Sequence, residues 1–218
     1  MTDRMKECCI DTHHDVSNLE AALAYAIGEE KSRECVERLL LRYGSFTTIY
    51  SVGEDELCRV GGISKNAALL IKLIAYINSR RVTDSFELGV RHDELSLRKY
   101  IASLFLGLSV ETVYVILLDD EDRVISAEHV SEGTVNASDI VPRKILEHAR
   151  RKRSKRIILA HNHPQGSVTP SKDDVMTTGR LTMLFSTVGV RLVAHYIVAD
   201  GEIGRIEANA VYNPDYKG

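Results

Sequence analysis

The stretch from Arg156 to Asp174 constrains this chain more than any other. Arg156-Ile157-Ile158-Leu159-Ala160 is a short apolar run of the kind that forms a buried strand. It leads into His161-Asn162-His163, and a strand delivers side chains to one face at i and i+2. His161 and His163 therefore converge on one point if strand geometry persists through them. Pro164, Gly166 and Pro170 then force a loop. Ser171-x-x-Asp174 fits a helix N-terminus, with Ser171 as N-cap and Asp174 near the capping-box position. A helix start is a rigid way to aim Asp174 back at the histidines. Two imidazoles and a carboxylate, with a fourth position left to water, make the donor set of a catalytic zinc site. A lone histidine beside a core strand is usually a satisfied polar group. Two of them ahead of a Pro/Gly loop point to a metal.

Around this stretch the chain divides in three. Residues 1–80 read as a helical domain, 81–92 as a polar linker, and 93–218 as an α/β domain with a mixed sheet. Met1 to Val16 is polar, and Cys8-Cys9 with His13-His14 reads as a frayed terminus. Ser17 or Asn18 can cap a first helix ended by Gly28, and a second runs to Tyr43-Gly44. After Phe46, Ile49 and Tyr50, a helix starting at Gly53-Glu54 meets another across the glycine turn Gly61-Gly62-Ile63-Ser64-Lys65. Such a turn can present backbone N–H groups to a phosphate, and Lys65 and Lys72 add local charge. A purely structural helical hairpin fits the same string, because Ser64 stands where a second glycine is usual and Glu54, Asp55 and Glu56 lie close by.

Beyond the linker, a helix is expected from about Glu94 to Phe105 and a buried strand from Thr112 to Leu118. Asp119 to Asp122 turns the chain, and Val124 to Val130 returns as a second strand. Pro142 opens a helix, another follows Ser171, and Leu192 to Val198 is a strand. Asp200-Gly201 is a hairpin signal, so Glu202 to Ile206 should pair back. The run Arg150 to Arg156 is either a nucleic-acid patch or a solvated cationic helix end, which the macrodipole favours.

His161-x-His163-Pro164 with Ser171-x-x-Asp174 resembles the JAMM motif of MPN-domain metalloproteases. The fuller string from Leu159 through Gly166 to Thr169-Pro170-Ser171 resembles the bacterial RadC family more specifically. Leu117-Leu118-Asp119, Glu132-Gly133-Thr134 and Val141-Pro142-Arg143 stand where that family carries similar strings. The resemblance covers 93–218 well and the rest loosely. It implies an MPN/JAB-like fold, related to that of cytidine deaminases, behind a helix-hairpin-helix-like domain. It implies zinc held by His161, His163 and Asp174, with an upstream glutamate as general acid/base. Glu111, just ahead of the first core strand, matches that glutamate, with Glu132 and Glu128 as alternatives. Ser171 matches the family serine, which orients the water or donates to the developing oxyanion. His195 stands near an Asp-His pair of the family, with Ala194 in place of the aspartate, and reads as a core residue. Gln165 and Ser167-Val168 depart from the family loop and leave the ligands intact.

The reaction class implied is hydrolysis of an amide or isopeptide bond in a peptide substrate. The alternative is a DNA-repair or recombination factor that binds DNA through Gly61, Gly62 and Lys65, in which the metal is structural or serves phosphodiester chemistry. A net charge of −3 supplies no global basic field for nucleic acid or membrane. No apolar run approaches the roughly 20 residues that span a bilayer, and the N-terminus has no signal-peptide core. Four cysteines show no CxxC spacing, so reduced thiols and a cytoplasmic setting are expected.

Overall fold

A computed structural model describes residues 12–133, 140–164 and 166–207. The helical region comprises α1 (Thr12–Ile27), α2 (Glu29–Tyr43), α3 (Phe46–Ser51), α4 (Glu54–Gly61) and α5 (Lys65–Ser85). The remainder comprises α6 (Glu94–Ser103), β1 (Thr112–Leu118), β2 (Val124–Glu132), α7 (Ile140–Arg151), β3 (Arg156–Asn162), α8 (Lys172–Ser186), β4 (Arg191–Ala199) and β5 (Glu202–Glu207). Cys8-Cys9, Gln165 and the side chains of His13 and His14 lie outside what is described. The first helix starts at Thr12 rather than after a cap at Ser17 or Asn18. Polarity alone marks that segment as irregular.

The expected linker is also shorter. α5 runs through Ser85, so residues 81–85 are helical. The Arg80–Asp84 ion pair, four residues apart, and the Thr83 hydroxyl on Ser79 O suit a polar helix end there. Phe86 then stacks on Tyr100, and Gly89 N–H donates to Val124 O.

The five strands form one mixed sheet in the order β2-β1-β3-β4-β5, with only β3 and β4 parallel. Parallel neighbours need a crossover, and α8 supplies it. Alternation divides β3 cleanly. Ile157 and Leu159 face one core with Ile145 of α7 and Leu181 and Phe185 of α8. Ile158 and Ala160 face the other, with Tyr100 and Ile101 of α6. His161 follows the first set and so lies on the α8 side. Asp200 and Gly201 both take positive φ, as a two-residue hairpin of the primed kind requires.

A third core, built on Leu23, Leu39, Ile49, Leu57 and Ile71, belongs to the helical region. Gly61 sits there because a Cβ would come within 3.0 Å of Cys35 Sγ. Lys72 is no surface cation. It is largely buried, donates to Tyr50 O and Gly107 O at 2.6 and 3.0 Å, and burial pulls it down to about 8. The two regions meet where the Ser45 and Thr48 hydroxyls bond Asp200 and where α5 approaches Gly107. Gly107 has φ +85, and a Cβ would stand 2.9 Å from that of Ala75. Gly107→Ala should therefore cost about 1–3 kcal/mol in urea unfolding. An unchanged midpoint would mean that the chain yields at this contact without cost.

Candidate metal centre

β3 ends at the site. Its parallel neighbour β4 ends beside it, and His163 N–H donates to Val198 O at 2.8 Å, so strand-like geometry persists through the second histidine. His161 is fully buried, while His163 is half-buried. Their Nε2 atoms stand 2.9 Å apart. Asp174 reaches both, with Oδ1 at 3.2 Å from His161 Nε2 and Oδ2 at 3.5 Å from His163 Nε2. A tetrahedron whose vertices lie 2.0–2.1 Å from a zinc has edges of about 3.4 Å. The three separations bracket that value, so these donors fit the metal with little rearrangement.

Asp174 sits in the first turn of α8, where the capping box is complete. Asp174 N–H donates to Ser171 Oγ, and Ser171 N–H donates to Asp174 Oδ2 at 2.8 Å. Ser171 Oγ also donates to Oδ2, at 2.6 Å. Its hydroxyl and backbone N–H both meet the Asp174 carboxylate, so the serine holds that carboxylate in place. Burial pushes the Asp174 carboxyl up. The adjacent His161 and His163 imidazoles and the hydrogen bond from Ser171 more than reverse this and hold it well below the usual carboxylate range. The Asp174 carboxylate in turn favours the protonated form of the His163 imidazole and raises it, against its burial.

His163 Nδ1 lies 2.7 Å from Ser167 O. A carbonyl only accepts, so Nδ1 carries the hydrogen and Nε2 is left bare toward the cluster. The same loop explains Gly166, where a Cβ would fall 2.9 Å from that of His163.

Glu111 comes in from the start of β1. Its carboxylate and one nitrogen each of His161 and His163 lie within 4.8 Å of one another. The histidine pair is thus approached by Asp174 and by Glu111. The two alternatives are engaged elsewhere: Glu128 stands 3.8 Å from His148 and 3.9 Å from Lys152, and Glu132 stands 3.7 Å from His129. Sequence reasoning passes over the residue that sets Glu111. Buried Asn162 accepts from Thr112 N–H at 2.8 Å and donates to Val110 O at 3.2 Å, clamping the backbone on both sides of that glutamate. Its position between the histidines, pointing to the opposite face, is the available signal.

His195 is fully buried, as expected, and it also touches the site. Its Nε2 lies 2.7 Å from His161 Nδ1, and its Nδ1 lies 2.7 Å from Thr178 Oγ1. In the parallel register His195 pairs with Leu159, which shares a face with His161. A cavity of about 630 Å³ opens beside the cluster, between the helical region and the sheet end. His163 and Pro164 form part of its wall with Phe46, Phe105, Leu106 and Val198.

The glycine turn contributes no residue to the cluster or to the cavity wall. α4 and α5 meet at 118°. Gly62 takes φ +64, and the Arg38 guanidinium donates to Gly61 O at 2.6 Å. Ile63 N–H is spent on Cys58 O, and Lys65 lies 3.7 Å from Asp55. In the basic run, Arg156 pairs with Asp122 at 2.6 Å and the exposed Arg150, Arg151 and Lys152 stand in water at the end of α7. Among the described residues no single helix is long and apolar enough to cross a membrane.

Comparison with known proteins places the same region. The family model described as "RadC-like JAB domain" matches residues 92–208. A UPF0758 protein of Vibrio atlanticus is 30% identical over 171 residues, covering 78% of this chain and 76% of its own length. A UPF0758 protein of Fusobacterium nucleatum is 29% identical over 198 residues, covering 87% and 85%.

Proposed function

The chain belongs to the RadC-like JAB domain family, and from that premise we propose that it is a zinc-dependent hydrolase of amide or isopeptide bonds. The observation that carries this reading is the meeting of His161, His163 and Asp174 at tetrahedral spacing, with Glu111 beside the pair. His161, His163 and Asp174 would hold the ion. An ion held there would supply Lewis-acid polarisation of the scissile carbonyl and a more acidic water. Glu111 takes the proton from the attacking water and delivers it to the leaving nitrogen as the C–O bond forms and the C–N bond breaks. Asn162 keeps Glu111 in register for both transfers. Ser171 keeps Asp174 ionised and aimed. The apolar cavity against His163 suits an extended segment of polypeptide, which supports a peptide substrate. A cytoplasmic setting belongs to this reading and is supported by the unpaired Cys35 and Cys58.

Metal analysis of the purified protein tests it. About one zinc per chain is expected in the wild type, and none in a protein carrying both His161→Ala and His163→Ala. Unchanged zinc in that double variant would end the proposal. The second reading, a DNA-associated protein, draws on the 118° hairpin with its αL glycine. It gains nothing from Lys72, whose ammonium is spent on Tyr50 O and Gly107 O, and little from Lys65, which faces Asp55. A salt-dependent titration with duplex DNA separates the two, and no binding at low salt removes the second.

A further inference from the structure

The partners of His195 decide which of its nitrogens carries hydrogen. Thr178 Oγ1 lies 2.6 Å from Asp174 O, which can only accept. The one hydroxyl hydrogen is therefore given to that carbonyl. Thr178 Oγ1 is then the acceptor at 2.7 Å for His195, whose Nδ1 must carry the hydrogen. The ring is shut off from water, so it is held as the neutral imidazole with a bare Nε2. That Nε2, 2.7 Å from His161 Nδ1, accepts from it. His161 is left with a bare Nε2 facing His163 Nε2 and Asp174 Oδ1.

We infer that Thr178 and His195 are positioning residues for the metal centre: a buried hydrogen-bond relay that starts on the Asp174 carbonyl and fixes His161 in the Nδ1–H tautomer, with Nε2 free to ligate. The relay spans α8, β4 and β3. It begins on the residue whose carboxylate completes the donor set, so one chain of hydrogen bonds registers two of the three donors against each other. A histidine that binds metal through one nitrogen commonly donates its other N–H to a carboxylate or carbonyl. Here a second, neutral histidine takes that place, and it can accept only because Thr178 has already fixed its own tautomer. Nothing in the relay touches substrate, and Thr178 takes no part in the chemistry proposed above.

The inference rests on the metal reading, and the test separates the two. Zinc affinity is measured by competition with a chromophoric chelator for the wild type, Thr178→Val and Thr178→Ser. Valine keeps the shape and removes the hydroxyl, freeing His195 to present either nitrogen. Thr178→Val should bind zinc about 10–100-fold more weakly, while Thr178→Ser stays near wild type. Nitrogen-15 NMR of the metal-free wild type should show His161 protonated at Nδ1, a readout that needs no activity and no variant. Thermal unfolding of the metal-free proteins checks that the valine chain folds; if it does not, the wild-type spectrum decides alone. Zinc binding within twofold of wild type in Thr178→Val, or an Nε2–H tautomer at His161, overturns the relay. A wild type that binds no zinc overturns the metal reading instead.

Discussion

A Glu111→Gln protein is expected to keep its zinc and to lose roughly 10²–10⁴-fold in hydrolytic rate, the usual worth of a positioned general acid/base. Three donors other than Glu111 already stand at the spacing a tetrahedral ion requires, so the ion does not depend on this carboxylate. Glu111 nevertheless lies within 4.8 Å of one ring nitrogen each of His161 and His163, close to where an attacking water would sit. Glutamine keeps its length and shape, and its amide cannot accept the water's proton. Glu128→Gln and Glu132→Gln serve as controls, because those carboxylates face His148, Lys152 and His129 instead. Single-turnover kinetics on a panel of peptide and isopeptide substrates, with zinc content measured on the same samples, gives the comparison. A Glu111→Gln chain as fast as wild type would take Glu111 out of the mechanism. A chain that lost zinc along with rate would make it a ligand.

Much of this site is legible because its parts follow short-range rules. The alternation of a strand places His161 and Leu159 on one face, and a proline-ended loop followed by Ser-x-x-Asp starts a helix wherever it occurs. The Asp200-Gly201 turn can be read for the same reason, since positive φ at both positions selects those residue types. What cannot be read depends on packing between distant segments. Lys72 looks like a surface charge until two carbonyls, Tyr50 O and Gly107 O, close over it. Asn162 looks like a spacer until β1 pairs with β3 and brings Val110 and Thr112 to its amide. Resemblance assigns Ser171 to the reacting atoms, and only the folded helix start shows its hydroxyl meeting the Asp174 carboxylate. The end of α5 escapes for a different reason: a polar helix turn and a polar linker have the same composition, and only the tertiary seat of Phe86 between Tyr100 and His92 marks where the helix stops.

The relay has a second consequence, on stability, which does not need zinc at all. In the metal-free protein, burial pushes the His195 imidazole far below its ordinary value of 6.5, with His161 adding to the effect and Asp174 opposing it. In the unfolded chain the same ring titrates normally. Below pH 6.5 the unfolded state therefore binds one proton that the folded state refuses, and stability must fall with pH. The slope approaches about 1.4 kcal/mol per pH unit once the unfolded ring is fully protonated. Two neighbours have to be placed in the same window. His163 is raised by its bond to Asp174, so its contribution is fully present below 6.5 and is lost only as pH rises above it; it adds no slope here. Asp174 is depressed, so its contribution is present above its ordinary 3.8 and fades only as pH falls below that. Among these three groups the interval from pH 6.5 to 4.5 thus belongs to His195. Urea unfolding of the metal-free protein across that interval should show the slope. His195→Gln should flatten it by about one proton, because an amide can accept from His161 and donate to Thr178 without titrating. Equal slopes in the two proteins would show that His195 takes up its proton in the folded state, and the buried neutral ring on which the tautomer argument depends would be lost.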